Sequence, residues 1–227
     1  PSTGVKSATL ALAIAALLGG SHAQVTLGTL GSTQYITTTG DMATELAVGT
    51  DLADIKALIS GTGAGTGATA GIIAYTSDVK DDFDAIATTS GSVMGTFVTE
   101  YGANFVDTFL ATVRDDADVT ENAKKEMVEK TVMDMVVMHL VLGKIYNNQT
   151  AANWDSAAAY YIGNTGGFTT FDRADKRAAV TNFGTLDGTE AAINKAIITA
   201  LNTRTPDNEA QIIELFQVLY LQNVVKY

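Results

Sequence analysis

Carboxylates and tyrosines are the side chains that could carry chemistry here, because cysteine is absent and histidine is scarce. The 227 residues include 25 Asp and Glu, 8 Tyr, 2 His and no Cys. Thiol chemistry is therefore excluded, and catalytic zinc is disfavoured because it commonly uses two or three His ligands. Neither a Gly-x-Ser-x-Gly elbow nor a glycosidase carboxylate motif is present. The inventory favours binding of a hard cation such as Fe³⁺ or Ca²⁺, which prefers oxygen ligands, over catalysis.

Glu126 and Glu129 form the first candidate ligand pair. They stand at i and i+3 of a predicted helix and would lie side by side on one face. The lysines beside them offer an alternative, because Lys125–Glu129 and Glu126–Lys130 are i,i+4 ion pairs typical of a solvated turn. The pattern leaves both interpretations open.

Asp134 and His139 are the only ionisable residues between Val132 and Gly143, the most apolar stretch of the chain. Five residues apart on a helix, they point about 140° away from each other. Either could ligate a metal only with partners from other helices. The alternative is that neighbouring groups satisfy them, as is usual for buried polar side chains.

The segment Asn153–Gly163 is the most distinctive string in the sequence. Trp154 and Tyr161 stand at i and i+7 and are predicted to lie in the core. Asp155 falls in the predicted first turn, where a carboxylate stabilises a helix start. Tyr160 is predicted to lie off the core face, where it could act as a phenolate or a hydrogen-bond donor. Both residues are also candidate metal ligands.

Several segments, which follow one another over residues 53–227, resemble one known family. They are Ala53–Gly61, Asn153–Gly163, Lys176–Ala178, Asn182–Thr185, Asn194–Leu201 and Leu219–Tyr227. The chain resembles the algal low-iron-inducible periplasmic proteins, which are iron-assimilation proteins related to phytotransferrins. The resemblance implies an exported protein, induced when iron is scarce, that concentrates ferric iron near the cell surface. It does not identify the ligands.

Residues 6–24 have the pattern of a secretory signal peptide. Lys6 precedes an apolar run from Ala8 to Leu18, and small residues occupy the cleavage positions before Gln24. We therefore predict a signal peptide over residues 1–23 and a mature domain over 24–227, in which His139 is the one histidine. The apolar run is too short to span a bilayer, and no later segment of the sequence reaches membrane-spanning length. The predicted location is secreted or periplasmic.

Charge and one short motif bear on partners. The formal net charge of −11 repels phosphate backbones, so a nucleic-acid partner is not expected. Asn148-Gln149-Thr150 is an acceptor sequence for N-glycosylation in an exported eukaryotic protein. A chance occurrence of this common tripeptide is the alternative.

The elements that position these residues are predicted to be helices. Gln24–Thr39 reads as an extended segment or short strand, and Gly61–Gly71 as a flexible loop. Gly63–Ala68 formally fits a dinucleotide fingerprint but lacks the strand before it. Apolar spacing and capping residues predict helices over 41–48, 51–59, 101–113, 119–147, 153–162, 189–202 and 207–226. The predicted fold is mostly α: a single-domain helical bundle around the long 119–147 helix, with an irregular Thr/Gly-rich N-terminal segment.

The sequence thus predicts an exported ferric-iron-binding protein rather than an enzyme. The expected ligands, with or without a bound synergistic anion, are Asp155, Tyr160, Glu126, Glu129 and His139. One rival is a structural or adhesive cell-surface protein, glycosylated at Asn148, with a cell-wall partner and no metal function. The other is an extracellular hydrolase, which needs two carboxylates of divergent pKa in one concave pocket.

Overall fold

The helix Ala151–Ile162 lies at the centre of the core in the computed structural model of the chain. The structure describes residues 24–25, 35–36, 42–61, 67, 105–131, 134, 137–147, 149–164, 168–181, 186–187 and 190–226. The described part is mostly α-helical, as predicted. The predicted signal peptide and most of the glycine-rich loop lie outside it.

The described elements are nine helices and two very short antiparallel strand pairs. The strands are β1 Gln24–Val25, β2 Tyr35–Ile36, β3 Leu186–Asp187 and β4 Glu190–Ala191; β1 pairs with β2, and β3 with β4. The helices are α1 Ala43–Leu46, α2 Val48–Ser60, α3 Phe105–Asp115, α4 Glu121–Lys130, α5 Val137–Asn147, α6 Ala151–Ile162, α7 Thr170–Thr181, α8 Ala192–Thr203 and α9 Asn208–Lys226. The single-domain helical fold is thus confirmed.

The sequence of α6 explains its central position. Thr150 caps the helix, because its side-chain oxygen accepts a hydrogen bond from the Asn153 backbone N–H at 3.2 Å. From Trp154 to Ile162 all residues except Ser156 are buried. Small alanines among them allow α5 to approach closely, and α6 also contacts α1, α2, α7 and α8. Trp154 and Tyr161 lie in the core, as predicted.

Aromatic contacts join the C-terminal helix to this core. The Tyr161 ring meets Phe216 of α9 and Phe171 of α7 edge to face, with centroid distances of 5.7 and 6.2 Å. Both arrangements are favourable for aromatic quadrupoles. The core therefore continues from α6 into the last helix.

The region predicted as one long helix contains α4 and α5. Thr120 caps α4 by accepting a hydrogen bond from the Ala123 N–H at 3.3 Å, so the helix begins at Glu121, two residues after the predicted start at 119. Thr131 and Asp134 then have π-helical backbone conformation, and α5 follows. The residues between them, 132–133 and 135–136, lie outside the described part, so a continuous 119–147 helix stays a prediction.

The sequence pattern did not predict helix α7. Its apolar stripe is small, because Phe171, Ala174 and Ala178 share the buried face and two of the three are alanines. A capping signal was nevertheless present: the Thr169 hydroxyl accepts a hydrogen bond from the Asp172 N–H at 3.2 Å and donates one to Asp172 Oδ2 at 2.7 Å. Among the described helices none is long and apolar enough to cross a membrane.

Candidate functional site

Asp155 lies at the centre of a cluster of three polar side chains, two of them fully buried. Its carboxylate is fully buried, and Oδ1 accepts hydrogen bonds from the Tyr35 hydroxyl at 2.8 Å and from Arg204 Nη2 at 3.1 Å. Arg204 Nε also donates to Tyr35 Oη at 3.3 Å, and the guanidinium lies 5.3 Å from the centre of the Tyr35 ring. We call Asp155, Tyr35 and Arg204 the Asp155 cluster. It brings a carboxylate, a phenol and a guanidinium to one point.

Three elements far apart in the chain build this cluster. Tyr35 comes from β2, Asp155 from the middle of α6, and Arg204 follows the last residue of α8. Arg204 has left-handed backbone angles, φ 54° and ψ 43°. It is the one described residue other than glycine with positive φ. Glycine usually occupies such a helix end, because a side chain there costs about 1–3 kcal/mol.

Burial and the Asp155 carboxylate keep the Tyr35 phenol protonated. Burial raises the pKa of Tyr35 strongly; the hydrogen bond from Arg204 opposes this, and the neighbouring Asp155 carboxylate raises the pKa further. Tyr35 is therefore a neutral donor, and the phenol proton lies toward Asp155. The guanidinium balances the carboxylate charge in a site with little water.

The predicted role of Asp155 at the start of its helix is wrong. Helix α6 begins at Ala151, and Thr150 supplies the cap, so Asp155 stands in the second turn with its side chain in the interior. The sequence could not supply its partners, because Tyr35 and Arg204 are separated from it by 120 and 49 residues.

The prediction that Tyr160 lies outside the core is also wrong. The side chain is buried, and the Lys144 ammonium lies 5.7 Å from the centre of its ring. Because several helices cover α6, its core face is wider than a single apolar stripe. Tyr160 is five residues from Asp155, which places the two side chains about 140° apart around the helix.

Glu129 belongs to a second cluster. The alternative interpretation placed it on a solvated turn, but its side chain is buried. It is 8% exposed and accepts hydrogen bonds from Lys56 Nζ at 3.1 Å, Lys130 Nζ at 2.8 Å and Arg173 Nη1 at 3.4 Å. Arg173 also binds Asp134, with Nε 2.8 Å from Oδ1 and Nη2 3.0 Å from Oδ2. We call Glu129, Lys56, Lys130, Arg173 and Asp134 the Glu129 cluster. Its three cations outnumber its two carboxylates.

The π-helical backbone explains how Glu129 and Asp134 both reach Arg173. Residues five apart on an α-helix point about 140° away from each other. In a π-helical turn, hydrogen bonds run from i to i+5, so residues five apart lie one above the other. Thr131 and Asp134 have this conformation, and both carboxylates bind the same guanidinium.

Asp134 is satisfied by its neighbours, as one of the two interpretations predicted. Besides Arg173, its Oδ2 accepts a hydrogen bond from Asn223 Nδ2 at 3.1 Å, and its backbone oxygen accepts one from the Tyr220 hydroxyl at 2.8 Å. Burial raises the pKa of Asp134, while the positive charge of Arg173 opposes the rise. The last helix is thereby bound to the π-helical turn.

Glu126 lies at the exposed edge of the Glu129 cluster. Glu126 is exposed and binds Lys130 at 3.1 Å, which confirms the predicted i,i+4 pair. The His139 side chain and Asn148 lie outside the described part of the chain. Within that part, no three acidic or histidine side chains are placed to hold a metal ion among them. Asp155 and Glu129, the two buried carboxylates of the predicted set, bind different partners.

Comparison with protein-family models, with curated proteins and with solved structures gives no match to this chain. The functional argument therefore depends on the chain's own residues and their geometry.

Proposed function

We propose that the protein is exported and binds ferric iron at the cell surface or in the periplasmic space for uptake, with the Asp155 cluster as the binding site. The observation that carries the proposal is the pairing of a buried carboxylate oxygen with a phenol oxygen 2.8 Å away, beside a guanidinium. The signal-peptide pattern of residues 6–24 supports the location.

The oxygen spacing suits two ligands of one hard ion. Adjacent ligands of an octahedral ion with bonds of about 2.0–2.1 Å are about 2.8–3.0 Å apart. Tyr35 Oη and Asp155 Oδ1 already have this separation. Iron would replace the phenol proton, so that both oxygens become anionic ligands.

Arg204 gives the site a place for an anion. Its side chain is 22% exposed, whereas Asp155 is fully buried, so the guanidinium lies on the solvent side of the cluster. A guanidinium binds carboxylate-like anions in two-pronged fashion. An anion held there would supply further oxygen ligands and balance part of the metal charge. The strained backbone of Arg204 supports a role for its side chain, because glycine would avoid that cost.

The proposed iron ligands differ from those predicted from the sequence. Asp155 is retained from the sequence prediction, and Tyr35 replaces Tyr160, which is directed to another side of α6. Glu129 is neutralised by three cations, which would oppose a further cation.

Titration of the purified mature protein with Fe³⁺, supplied as a chelate, tests the proposal. A visible tyrosinate charge-transfer band should develop, together with binding heat. Tyr35→Phe should abolish the band, whereas Tyr160→Phe, a matched change at another buried tyrosine of this core, should keep it. Arg204→Lys should weaken binding by about 10–100-fold, as is typical when a supporting group is lost. Affinity should rise about tenfold per pH unit, because Tyr35 releases one proton.

Two results would contradict the assignment. A flat spectrum without binding heat would remove the iron function and favour the rival, a structural cell-surface protein. A band that survives in Tyr35→Phe and disappears in Tyr160→Phe would move the site away from the Asp155 cluster.

A further inference from the structure

The guanidinium of Arg204 covers the two oxygens that the proposed function assigns to iron. Its Nη2 donates a hydrogen bond to Asp155 Oδ1 at 3.1 Å, and its Nε donates one to Tyr35 Oη at 3.3 Å. These two oxygens are 2.8 Å apart. Two nitrogens of one planar group therefore contact two neighbouring oxygens, in the two-pronged manner by which guanidinium groups hold carboxylates.

Arg204 also lies between these oxygens and the solvent. Tyr35 and Asp155 are both 0% exposed, whereas the Arg204 side chain is 22% exposed. Arg204 is therefore the member of the Asp155 cluster that reaches the surface. An ion that approaches from this side meets the guanidinium before it meets either oxygen.

An iron ion and the guanidinium compete for the same positions on the two oxygens. Asp155 Oδ1 already accepts one hydrogen bond from Tyr35 and one from Arg204, and Tyr35 Oη accepts one from Arg204. An ion bound to both oxygens in place of the phenol proton brings a high positive charge next to the guanidinium. Like charges so close together repel strongly in a site with little water. The guanidinium therefore has to leave the oxygens when the ion binds.

We propose that Arg204 is a gate, whose guanidinium closes the Asp155 cluster in the metal-free protein and turns toward solvent to admit the ion. The inference rests on the proposed iron function and adds the step by which iron enters. No helix has to move, because Arg204 follows the last residue of α8 and its side chain turns about several rotatable bonds. Once withdrawn, the guanidinium lies on the solvent side of the site, where the proposed function places an anion.

Loading rates from stopped-flow mixing test the gate on the unmodified protein. The tyrosinate band is followed at increasing concentrations of ferric nitrilotriacetate and, separately, of ferric citrate. Opening leaves the buried Asp155 carboxylate without its cation, so the open state is rare. The observed rate should therefore level off at the opening rate, with the same plateau for both chelates. A rate that stays proportional to concentration, or a plateau that differs between the chelates, would overturn the gate.

Arg204→Lys separates a gate from a group that only supports the bound ion. An ammonium is a point charge and cannot hold both oxygens in two-pronged fashion, so the closed state is weakened by about one charge-assisted hydrogen bond. The plateau rate should rise about tenfold, although the affinity falls. A supporting group alone would lower the affinity without faster loading. The control Arg114→Lys changes an exposed guanidinium paired with Asp115 and should keep the wild-type plateau.

The outcomes distinguish the gate from the iron function on which it rests. Absence of the tyrosinate band at every iron concentration would overturn both. A band whose plateau rate is unchanged or lowered in Arg204→Lys would overturn the gate and leave the iron site in place. If Arg204→Lys does not fold, the wild-type plateau and its independence of the chelate decide the question.

Discussion

Glu129 shows how burial and charge together determine the state of one carboxylate. Burial by itself would raise its pKa, but hydrogen bonds and positive charge from Lys130 and Lys56 outweigh that effect and lower the pKa from 4.5 to about 2. The group therefore stays ionised in the folded protein far into the acid range. Its ion pairs join α4 to α2 and α7.

Glu129→Gln should make stability less sensitive to acid. Because the folded pKa lies below the unfolded value, the stabilisation by Glu129 is present above about pH 4.5 and disappears as pH falls toward 2. The variant should lose about 3 kcal/mol of unfolding free energy at pH 7 and almost nothing at pH 2. Urea denaturation across this range measures the difference. Glu126→Gln, an exposed carboxylate on the same helix, should change stability by less than about 0.5 kcal/mol; an equal effect of both variants would contradict the assignment.

The candidate site could be predicted only where local spacing determines it. Asp155 was identified because it stands in a distinctive aromatic segment, and the i,i+4 spacing gave the Glu126–Lys130 pair. Tyr35 and Arg204 were not identified, because no local pattern relates residues 120 and 49 positions from Asp155. Burial of Tyr160 was missed for a similar reason, since it depends on the number of helices that surround α6.

Gly163 determines how α6 ends and how the chain turns toward α7. Its backbone has φ +63° and ψ 169°, a combination that is essentially confined to glycine. A Cβ atom there would lie 2.5 Å from Thr169 Cγ2 and 3.3 Å from Gly49 Cα. Two independent costs, backbone strain and steric overlap, therefore act at one residue.

Gly163→Ala should destabilise the protein by about 2–4 kcal/mol, because it adds both costs. Chemical denaturation provides the measurement. Thr169→Ser removes Cγ2 and keeps the hydroxyl that caps α7, so the double variant should recover only the steric part of the loss. Full recovery would show that the backbone angles carry no cost, and no recovery would show that Thr169 is not the obstacle.

Most helices could be predicted from the sequence, whereas the junctions between them could not. Apolar periodicity and caps located the helices that carry a clear stripe, such as α6 and α8. The apolar stripe of α7 consists of Phe171 and small alanines, and the charged side chains of Arg173 and Asp175 are buried beside it. The π-helical turn was missed because a helical wheel assumes one angle per residue throughout.

The described chain forms one core, and the last helix is a structural part of it. Phe216, Ile212 and Leu219 of α9 are fully or almost fully buried, and Phe216 packs against Tyr161 of α6. Tyr220 and Asn223 of the same helix donate hydrogen bonds to Asp134 in the π-helical turn. Unfolding of α9 alone would therefore expose the centre of the molecule.

Phe216→Ala should lower the unfolding free energy by about 3–5 kcal/mol and keep a single transition. Trp154 is the one tryptophan of the chain and is buried in α6, so its fluorescence reports on the core, while circular dichroism reports on all helices. The two signals should change together. Leu221→Ala on the exposed side of α9 should cost less than about 0.5 kcal/mol. Separate transitions in the two signals would show that α9 unfolds independently.

The π-helical turn at Thr131 and Asp134 also limits insertions and deletions between α4 and α5. Glu129 and Asp134 both reach Arg173 at their present separation along the chain, so one residue more or fewer between them would take one of the two carboxylates away from the guanidinium. A substitution in this segment changes one side chain, whereas an insertion or deletion between Glu129 and Asp134 would break the link from α4 to α7.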